Sequence, residues 1–244
     1  MSIVKYHAHG NNRDGWVPLE SAPLFTGVSL EDLKRISAAA RLKRFERGEM
    51  LYLAGDTVEQ VLLLVSGSVK ITQLGPKGLE VILRLGAPGA VFDVVSLFAT
   101  GRHGTTAQAI RASRTLVWDA GDFKTLVEGI PILHQNMIRF TCDHLRELEE
   151  RFRELATERV ASRVARQLIR LQEQVGSGPN GDMEIGLSRE GLAQMTGTTL
   201  YTVSRLLSAW EEHGLVNSRR ESMMISDLRA LRKLFAEPTS LDEN

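Results

Sequence analysis

Side chains suited to reading DNA share one face of a helix that we predict between Thr199 and Gly214. Four apolar residues recur at helical spacing and predict the buried face of this helix: Val203, Leu206, Leu207 and Trp210. The opposite face carries a different set near the helix N-terminus: Thr199, Leu200, Tyr201, Ser204 and Arg205. Hydroxyl groups can bind phosphate oxygens, and an arginine can donate two hydrogen bonds to guanine O6 and N7. This combination predicts a helix that lies in the major groove of DNA.

The residues on either side of this helix predict a helix–turn–helix. Ser188 is suited to cap a first helix, and Thr198 or Thr199 can cap the second. Gly197 supplies the positive φ that a tight turn between two helices requires, and Gly214 is suited to end the second helix. Two short helices joined by a glycine turn also occur in many all-α domains. The segment that follows therefore has to decide between a DNA-binding unit and an ordinary helix pair.

A basic hairpin after the second helix favours DNA binding. Short apolar runs at Leu215–Val216 and Met223–Ile225 flank a polar tip that contains Arg219 and Arg220. Such a wing would place both arginines on the phosphate backbone beside the groove, although a solvated turn has the same composition. From Arg159 to Lys233 there are 11 Lys and Arg against 8 Asp and Glu, a net charge of +3. This modest excess predicts that affinity depends on a dimer and on placed contacts.

The bulk composition excludes several classes of protein. The 244 residues suffice for two domains, and the overall net charge is zero. The single cysteine, Cys142, excludes an intrachain disulfide and an iron–sulfur or zinc site made of cysteines alone. Neither a signal peptide nor an apolar run of about 20 residues is present, so we predict a cytoplasmic protein without a membrane partner.

The pattern along the chain predicts an α+β protein with an N-terminal β-roll of the jelly-roll type. Short apolar runs such as residues 50–53, 61–65 and 115–118 alternate with glycines from about Lys43 to Phe123. A helix precedes them at 30–40, and longer helices follow. We predict five segments: a loosely held N-terminus (1–20), the β-roll (21–130), a dimerisation helix (131–158), a winged helix–turn–helix (159–236) and a tail (237–244).

The long helix carries a stripe of apolar residues in steps of three and four, and charged residues fill its other faces. The stripe consists of Ile138, Thr141, Leu145, Leu148, Phe152 and Leu155. A narrow stripe of this kind is typical of the seam of a parallel two-helix coiled coil. We therefore predict a homodimer, with packing against the helix's own domain as the alternative.

Three groups of motifs resemble the cyclic-AMP receptor protein/Fnr (Crp/Fnr) superfamily of bacterial transcription regulators. They are FERGEMLYLAGD (45–56), VLLLVSGSVKI (61–71), and the helix–turn–helix with its wing. The resemblance extends from Pro23 to Phe235. It implies a cyclic-nucleotide-binding-like β-roll that binds a small effector and a long helix that dimerises. It also implies a palindromic DNA site with half-sites about one helical turn apart, and RNA polymerase as a further partner.

The resemblance also implies roles for single residues. Phosphate contacts fall on Ser188, Arg189, Thr199 and Thr202, and base contacts on Leu200, Tyr201, Ser204 and Arg205. Arg205 matches the family's guanine-reading arginine. Tyr201 stands where well-known members have a glutamate, and a phenol cannot accept from cytosine N4 as a carboxylate does. We therefore expect a half-site that keeps the guanine and differs at the neighbouring position.

The effector positions depart further from the family pattern. Members that bind cyclic nucleotides have a Gly-Glu pair for the ribose and an Arg-Ser or Arg-Thr pair for the phosphate, whereas this chain has Asp93-Val94 and no arginine in 104–108. A buried phosphodiester would lack a cation, so we expect an effector other than cyclic AMP. The loop at 91–98 is somewhat similar to that of 2-oxoglutarate-sensing nitrogen regulators, but their anion-binding arginine is not evident. The resemblance implies an effector pocket formed by Phe92, Asp93, Val94, Val95, Ser96, Thr105, Thr106 and Leu148.

Other sensing chemistries remain as alternatives. Oxygen sensing of the Fnr type needs a cysteine cluster and is excluded. Haem would need axial ligands from His7, His9, His103, His134 or His144, and the first two could hold a metal only with further ligands. We interpret Cys142 as a buried inert thiol, with an intersubunit disulfide or an oxidative modification as the alternative. A regulator without an effector also fits the sequence. A cupin-like enzyme does not, because the β-roll offers only His103 as a histidine ligand.

Overall fold

The computed structural model describes residues 18–175, 184–219 and 222–234, and their contacts divide into two compact units. The first unit contains residues 18–73 and 83–147, and the second contains residues 74–82 and those from Leu148 onwards. Both units combine helices with antiparallel strands, which confirms the predicted α+β class.

Two four-stranded sheets form the β-roll. The strands are β1 (Arg41–Phe45), β2 (Met50–Tyr52), β3 (Gln60–Ser66), β4 (Val69–Leu74), β5 (Glu80–Gly86), β6 (Val91–Phe92), β7 (Thr106–Ala109) and β8 (Ser113–Asp119). One sheet has the order β1-β8-β3-β6 and the other β2-β7-β4-β5. Four helices accompany them: α1 (Leu30–Ala38), α2 (Val94–Ala99), α3 (Ala120–Gly129) and the long α4 (Pro131–Thr157).

Strand β3 is apolar on both of its faces because each face meets a separate core. Val61 and Leu63 belong to a cluster with residues of α1 and α3, whereas Leu62 and Leu64 belong to the cluster inside the roll. Since successive side chains of a strand point to opposite faces, a strand buried on both sides has a continuous apolar sequence. The indole N–H of Trp118 donates to the backbone oxygen of Ile36 at 2.7 Å in the outer core.

At Gly67, in the turn between β3 and β4, we expect a single added methyl group to lower the stability of the protein strongly. Its φ is +99°, and a Cβ at this position would lie 2.6 Å from the backbone oxygen of Ala112. We expect Gly67→Ala to lower the free energy of unfolding by about 3 kcal/mol, because a left-handed backbone and a steric clash each cost about 1–2 kcal/mol. Denaturant titration of the purified protein measures this change.

Gly101 provides the matched control for that substitution. Its φ is +67°, but no heavy atom lies within 4 Å of a Cβ built there. Gly101→Ala should therefore show only the backbone strain, about 1 kcal/mol. Equal losses in the two variants would contradict the steric part of the argument.

The second unit contains the helix–turn–helix and a small sheet. Its helices are the C-terminal part of α4, then α5 (Val160–Val175), α6 (Arg189–Thr196), α7 (Leu200–Glu212) and α8 (Leu228–Lys233). Its strands are β9 (Glu184–Ile185), β10 (Val216–Ser218) and β11 (Met223–Ile225), which pair in the order β10-β11-β9. The predicted wing is therefore present, and β9 adds a third strand to it.

An ion pair joins α4 to α5 inside the second unit. Arg170 donates from both terminal nitrogens to the carboxylate of Glu154, at 2.6 and 2.7 Å. The Glu154 side chain is only 4% exposed, so the pair is largely removed from water. Arg170 also contacts the side-chain oxygen of Gln167 at 3.2 Å, and Arg151 of α4 donates to the same oxygen at 3.1 Å. Polar contacts therefore fix the direction in which α5 leaves α4.

Candidate DNA-binding surface and effector pocket

The helix–turn–helix forms through local caps and one glycine. The Ser188 hydroxyl accepts a hydrogen bond from the N–H of Gly191 at 3.1 Å and caps α6. Gly197 ends α6 in the left-handed conformation, with φ 62° and ψ 42°. Thr199, rather than Thr198, caps α7 by accepting from the N–H of Thr202 at 3.1 Å. These contacts satisfy N–H groups that have no partner within the helix.

The predicted polar face of α7 lies on the surface. Tyr201 is 78% exposed and Leu200 is 49% exposed, and Arg205 is also exposed. Thr202 and Ser204 are half-buried beside them. The four predicted apolar residues of the opposite face are buried, as expected: Val203, Leu206, Leu207 and Trp210. The structure therefore brings the sequence-predicted base-reading side chains together on one accessible surface.

Arg189 holds the wing against the helices, which the sequence did not reveal. Its Nε donates to the hydroxyl of Ser218 in β10 at 2.8 Å, and its terminal nitrogen lies 3.4 Å from the carboxylate of Glu211 in α7. Glu211 in turn accepts from the N–H of Ser218 at 2.6 Å. This triangle joins α6, α7 and the wing. Arg189 thus has a positioning role in addition to the phosphate contact predicted for it.

The tip of the wing carries one of the two predicted arginines within the described residues. Arg219 is exposed, and its backbone N–H donates to the oxygen of Ser222 at 2.7 Å. Arg220 lies outside the described residues. A phosphate contact beside a groove requires an exposed guanidinium group, and Arg219 has one at the tip of the β10–β11 hairpin.

A buried cluster of polar side chains lies in the β-roll at the start of α2. Asp93 has φ 69° and is the one non-glycine residue with positive φ among the described residues. Its Oδ1 lies 2.8 Å from Nδ1 of His103, and the two side chains are only 3% and 6% exposed. The contact lacks the alignment of a full hydrogen bond, and the other carboxylate oxygen, Oδ2, is buried without a partner. The ring of Tyr52 stacks on His103 with 4.2 Å between ring centroids.

Burial sets the protonation behaviour of this cluster. Burial raises the pKa of Asp93, while the nearby His103 opposes that rise. Burial also raises the pKa of Tyr52, and the negative charge of Asp93 raises it further, so the phenol stays neutral. Burial lowers the pKa of Arg84, whose guanidinium carbon lies 5.8 Å from the ring centroid of Phe92.

A cavity of about 480 Å³ opens beside this cluster in the first unit. Its lining consists of Lys43, Leu51, Tyr52, Asp56, Thr57, Glu59, Gln60, Leu62 and His103. None of the residues that the sequence suggested for an effector pocket lines it. Tyr52 and His103 form the boundary between the cavity and Asp93. These two residues come from β2 and from the segment after α2, and no local sequence pattern points to their contact.

Comparison with known proteins assigns both units. Residues 42–129 match the model of the cyclic nucleotide-binding domain, and residues 162–234 match the model of the Crp-like helix-turn-helix domain. The chain belongs to the Crp/Fnr superfamily of transcription regulators. Within this superfamily, DNA is the partner of the helix–turn–helix, and the similar proteins are transcription regulators and not enzymes.

Relatives of this Crp/Fnr protein extend over most of its length. It is 25% identical over 217 residues to a CRP-like cAMP-activated global transcriptional regulator of Mycobacterium tuberculosis, covering 88% of this chain and 97% of the relative. It is 28% identical over 198 residues to the cyclic AMP receptor protein of Thermus thermophilus, covering 81% and 89%. The fold is similar to that of FixK2 from Bradyrhizobium japonicum, with a TM-score of 0.70, 22% identity, and coverage of 80% and 96%.

The predicted effector residues of this Crp/Fnr protein have different environments. Phe92 is fully buried in the core of the roll, and Val94 is buried at the start of α2. Val95 is exposed on α2, Ser96 is half-buried, and Leu148 is exposed on α4. Thr106 accepts a hydrogen bond from the N–H of Ala54 at 3.1 Å, and the hydroxyl of Tyr52 interacts with Thr105. Tyr52, Arg84 and His103 surround Asp93, and no sequence pattern assigned these three residues to the pocket.

The remaining candidates for metal, haem or thiol chemistry are dispersed. His134 is exposed on α4, and His144 stacks on Phe140 with 6.2 Å between ring centroids. His7 and His9 lie outside the described residues. Cys142 is exposed, so the interpretation as a buried thiol is wrong: the residue faces away from the core that α4 contacts. Among the described residues, no group of three or more His, Cys, Asp and Glu is placed to hold a metal ion. None of the described helices has the length and hydrophobicity that a membrane crossing requires.

Proposed function

We propose that this Crp/Fnr regulator binds a palindromic operator as a homodimer under the control of a small effector other than cyclic AMP. The observation that carries the proposal is the exposed face of α7, where Tyr201 and Arg205 are both accessible. An arginine near the N-terminus of a recognition helix is suited to guanine, and a two-fold dimer reads two half-sites about one helical turn apart. RNA polymerase is the further partner that we propose for a regulator of this type.

The long helix supports the homodimer. Its predicted seam is on the surface of the single chain: Ile138, Thr141, Leu145, Leu148, Phe152 and Leu155 are all exposed. Phe152 alone is 74% exposed. A line of exposed large apolar side chains at coiled-coil spacing is costly in water and suits the same helix of a second copy. The alternative from the sequence is that the stripe packs against the chain's own domain. In the single chain, however, none of the described residues of that domain covers the stripe.

The residues of the β-roll support an effector different from cyclic AMP. Two relatives are named for cyclic AMP, but this chain has Asp93 where cyclic-nucleotide binders have the glycine of the ribose pair. A buried carboxylate repels a phosphodiester, and the segment 104–108 supplies no cation against that repulsion. Arg84 is a cation in the same unit, but the negative charges of Asp93 and Glu147 already attract its guanidinium group.

Selection from random DNA tests the proposed operator. We expect full-length protein to enrich an inverted repeat whose half-sites keep a guanine opposite Arg205 and differ from the cyclic-AMP-receptor half-site at the position opposite Tyr201. Light scattering on the same preparation should give the mass of a dimer. Enrichment of a single half-site, or the standard half-site unchanged, would contradict the proposal.

Native mass spectrometry with visible absorption tests the effector. A dimer with additional mass identifies a tightly held ligand, and a Soret band identifies haem. We expect a dimer of unmodified chains without visible absorption, because the proposed effector is a weakly held metabolite. A bound haem would contradict this expectation and assign the sensing chemistry to a haem iron.

A further inference from the structure

The cavity beside Tyr52 and His103 is rich in hydrogen-bond acceptors and poor in cations. Asp56 and Glu59 are exposed carboxylates in its lining, and Thr57 and Gln60 add neutral polar groups. Lys43 is the one lysine or arginine of the lining, and its ammonium group lies 4.8 Å from the ring centroid of Phe45. That ring face attracts the ammonium group and favours its position over Phe45, and the two carboxylates outnumber this single cation in the lining.

His103 gives the cavity a buried polar wall. Its side chain is 6% exposed, and Nδ1 lies 2.8 Å from the Asp93 carboxylate. Nδ1 therefore faces Asp93, and Nε2 is the ring nitrogen that remains for a ligand. The carboxylates of Asp56 and Glu59 accept hydrogen bonds, so they favour a ligand with donor groups.

Tyr52 adds an aromatic surface to this set of acceptors. Its ring stacks on His103 with an interplanar angle of 11°, which holds both rings in the cavity wall. Carboxylates together with an aromatic face are the groups that bind ammonium and guanidinium ions. An anionic ligand would instead meet two carboxylates and a third one, Asp93, behind His103.

We propose that this cavity binds a small organic cation of the diamine or alkylguanidinium class, which packs against the rings of Tyr52 and His103 and pairs with Asp56 and Glu59. The ligand spans the cavity with its apolar carbons against Leu51 and Leu62. Binding of the cation requires neither DNA nor a dimer. The identification of this cation as the effector is the one part of the inference that rests on the proposed function.

Calorimetric titration of the full-length protein with agmatine, which has an amine at one end and a guanidinium at the other, tests the ligand class. We expect saturable binding of agmatine and of the diamine putrescine, and none of succinate. Glu59→Gln should weaken agmatine binding about fivefold, because it removes one ion pair at a partly solvated site. Glu128→Gln on α3 is the matched control, since that carboxylate is exposed outside the cavity lining and should leave the affinity unchanged.

Two results would overturn the proposal. One is the absence of binding for both cations at millimolar concentration, and the other is equal affinity in the two glutamine variants. Neither variant alters a buried residue, so loss of folding cannot imitate the expected result. The titration contains no DNA, and its failure leaves the operator selection to decide the proposed function independently.

Discussion

Replacing Arg205 with Ala is expected to abolish sequence-specific DNA binding while the protein stays folded and dimeric. A bidentate contact between arginine and guanine is worth about 1–3 kcal/mol, and a palindrome loses two of them, so affinity for the operator should fall about 100-fold or more. Arg205 is exposed and has no part in the buried face of α7, so its removal leaves the core intact. Fluorescence anisotropy with the selected operator and with an unrelated duplex measures both the loss and its specificity.

Ser208→Ala serves as the control for this prediction. Ser208 is also exposed on α7, but it lies three residues beyond Arg205, nearly one helical turn further from the N-terminal turns that carry the predicted base contacts. Operator affinity should stay within the error of the measurement in this variant. Unchanged affinity in Arg205→Ala would remove the arginine from the reading surface.

A second substitution on the same helix tests which base each side chain reads. Tyr201→Glu restores a carboxylate that can accept from cytosine N4. A repeated selection with this variant should enrich DNA that has a cytosine available to the carboxylate at the position next to the retained guanine. Selection of the parental site by this variant would show that Tyr201 does not face that base.

Replacing Glu154 with Gln is expected to lower the free energy of unfolding by about 3–5 kcal/mol, because it leaves the guanidinium of Arg170 without its charged partner. The two groups share two hydrogen bonds of 2.6 and 2.7 Å, and the carboxylate is almost fully buried. Denaturant titration followed by circular dichroism measures the change. Because the pair joins α4 to α5, hydrogen exchange should also rise in α5.

Two further variants separate the buried ion pair from helix charge in general. Glu150→Gln breaks the ion pair with Arg153 on the exposed side of α4 and should leave the unfolding transition nearly unchanged. In the double variant Glu154→Leu with Arg170→Met, apolar side chains replace both charges, and much of the lost stability should return. A double variant less stable than Glu154→Gln would show that the pair contributes more than its own desolvation cost.

The helix–turn–helix could be predicted from the sequence because its determinants are local. Ser188 and Thr199 cap helices by accepting from backbone N–H groups three residues further along, and Gly197 determines the turn through its own φ. The buried and exposed faces of α7 follow from helical periodicity within 13 residues. The six residues of the α4 stripe were predictable for the same reason, since spacing alone places them on one side of a helix.

Contacts between distant segments could not be predicted in this way. The sequence placed Arg189 on phosphate, but only the packing of the wing shows that Ser218 and Glu211, 29 and 22 residues away, bind its guanidinium. Cys142 lies next to Thr141 of the apolar stripe in the sequence. Whether its thiol is buried or exposed depends on which side of α4 faces the core, and the structure shows that it is exposed.

Motifs of the sequence indicated the family by resemblance, and local caps, turns and periodicities predicted the order of the elements and the exposed face of α7. Each of these features acts over a few residues. The tertiary structure decided what surrounds Asp93. Tyr52 comes from β2, His103 from the segment before β7 and Arg84 from β5, and no period relates these positions to one another. Closure of the two sheets into a roll brings them together, because strands far apart in the chain become neighbours only when the sheets form.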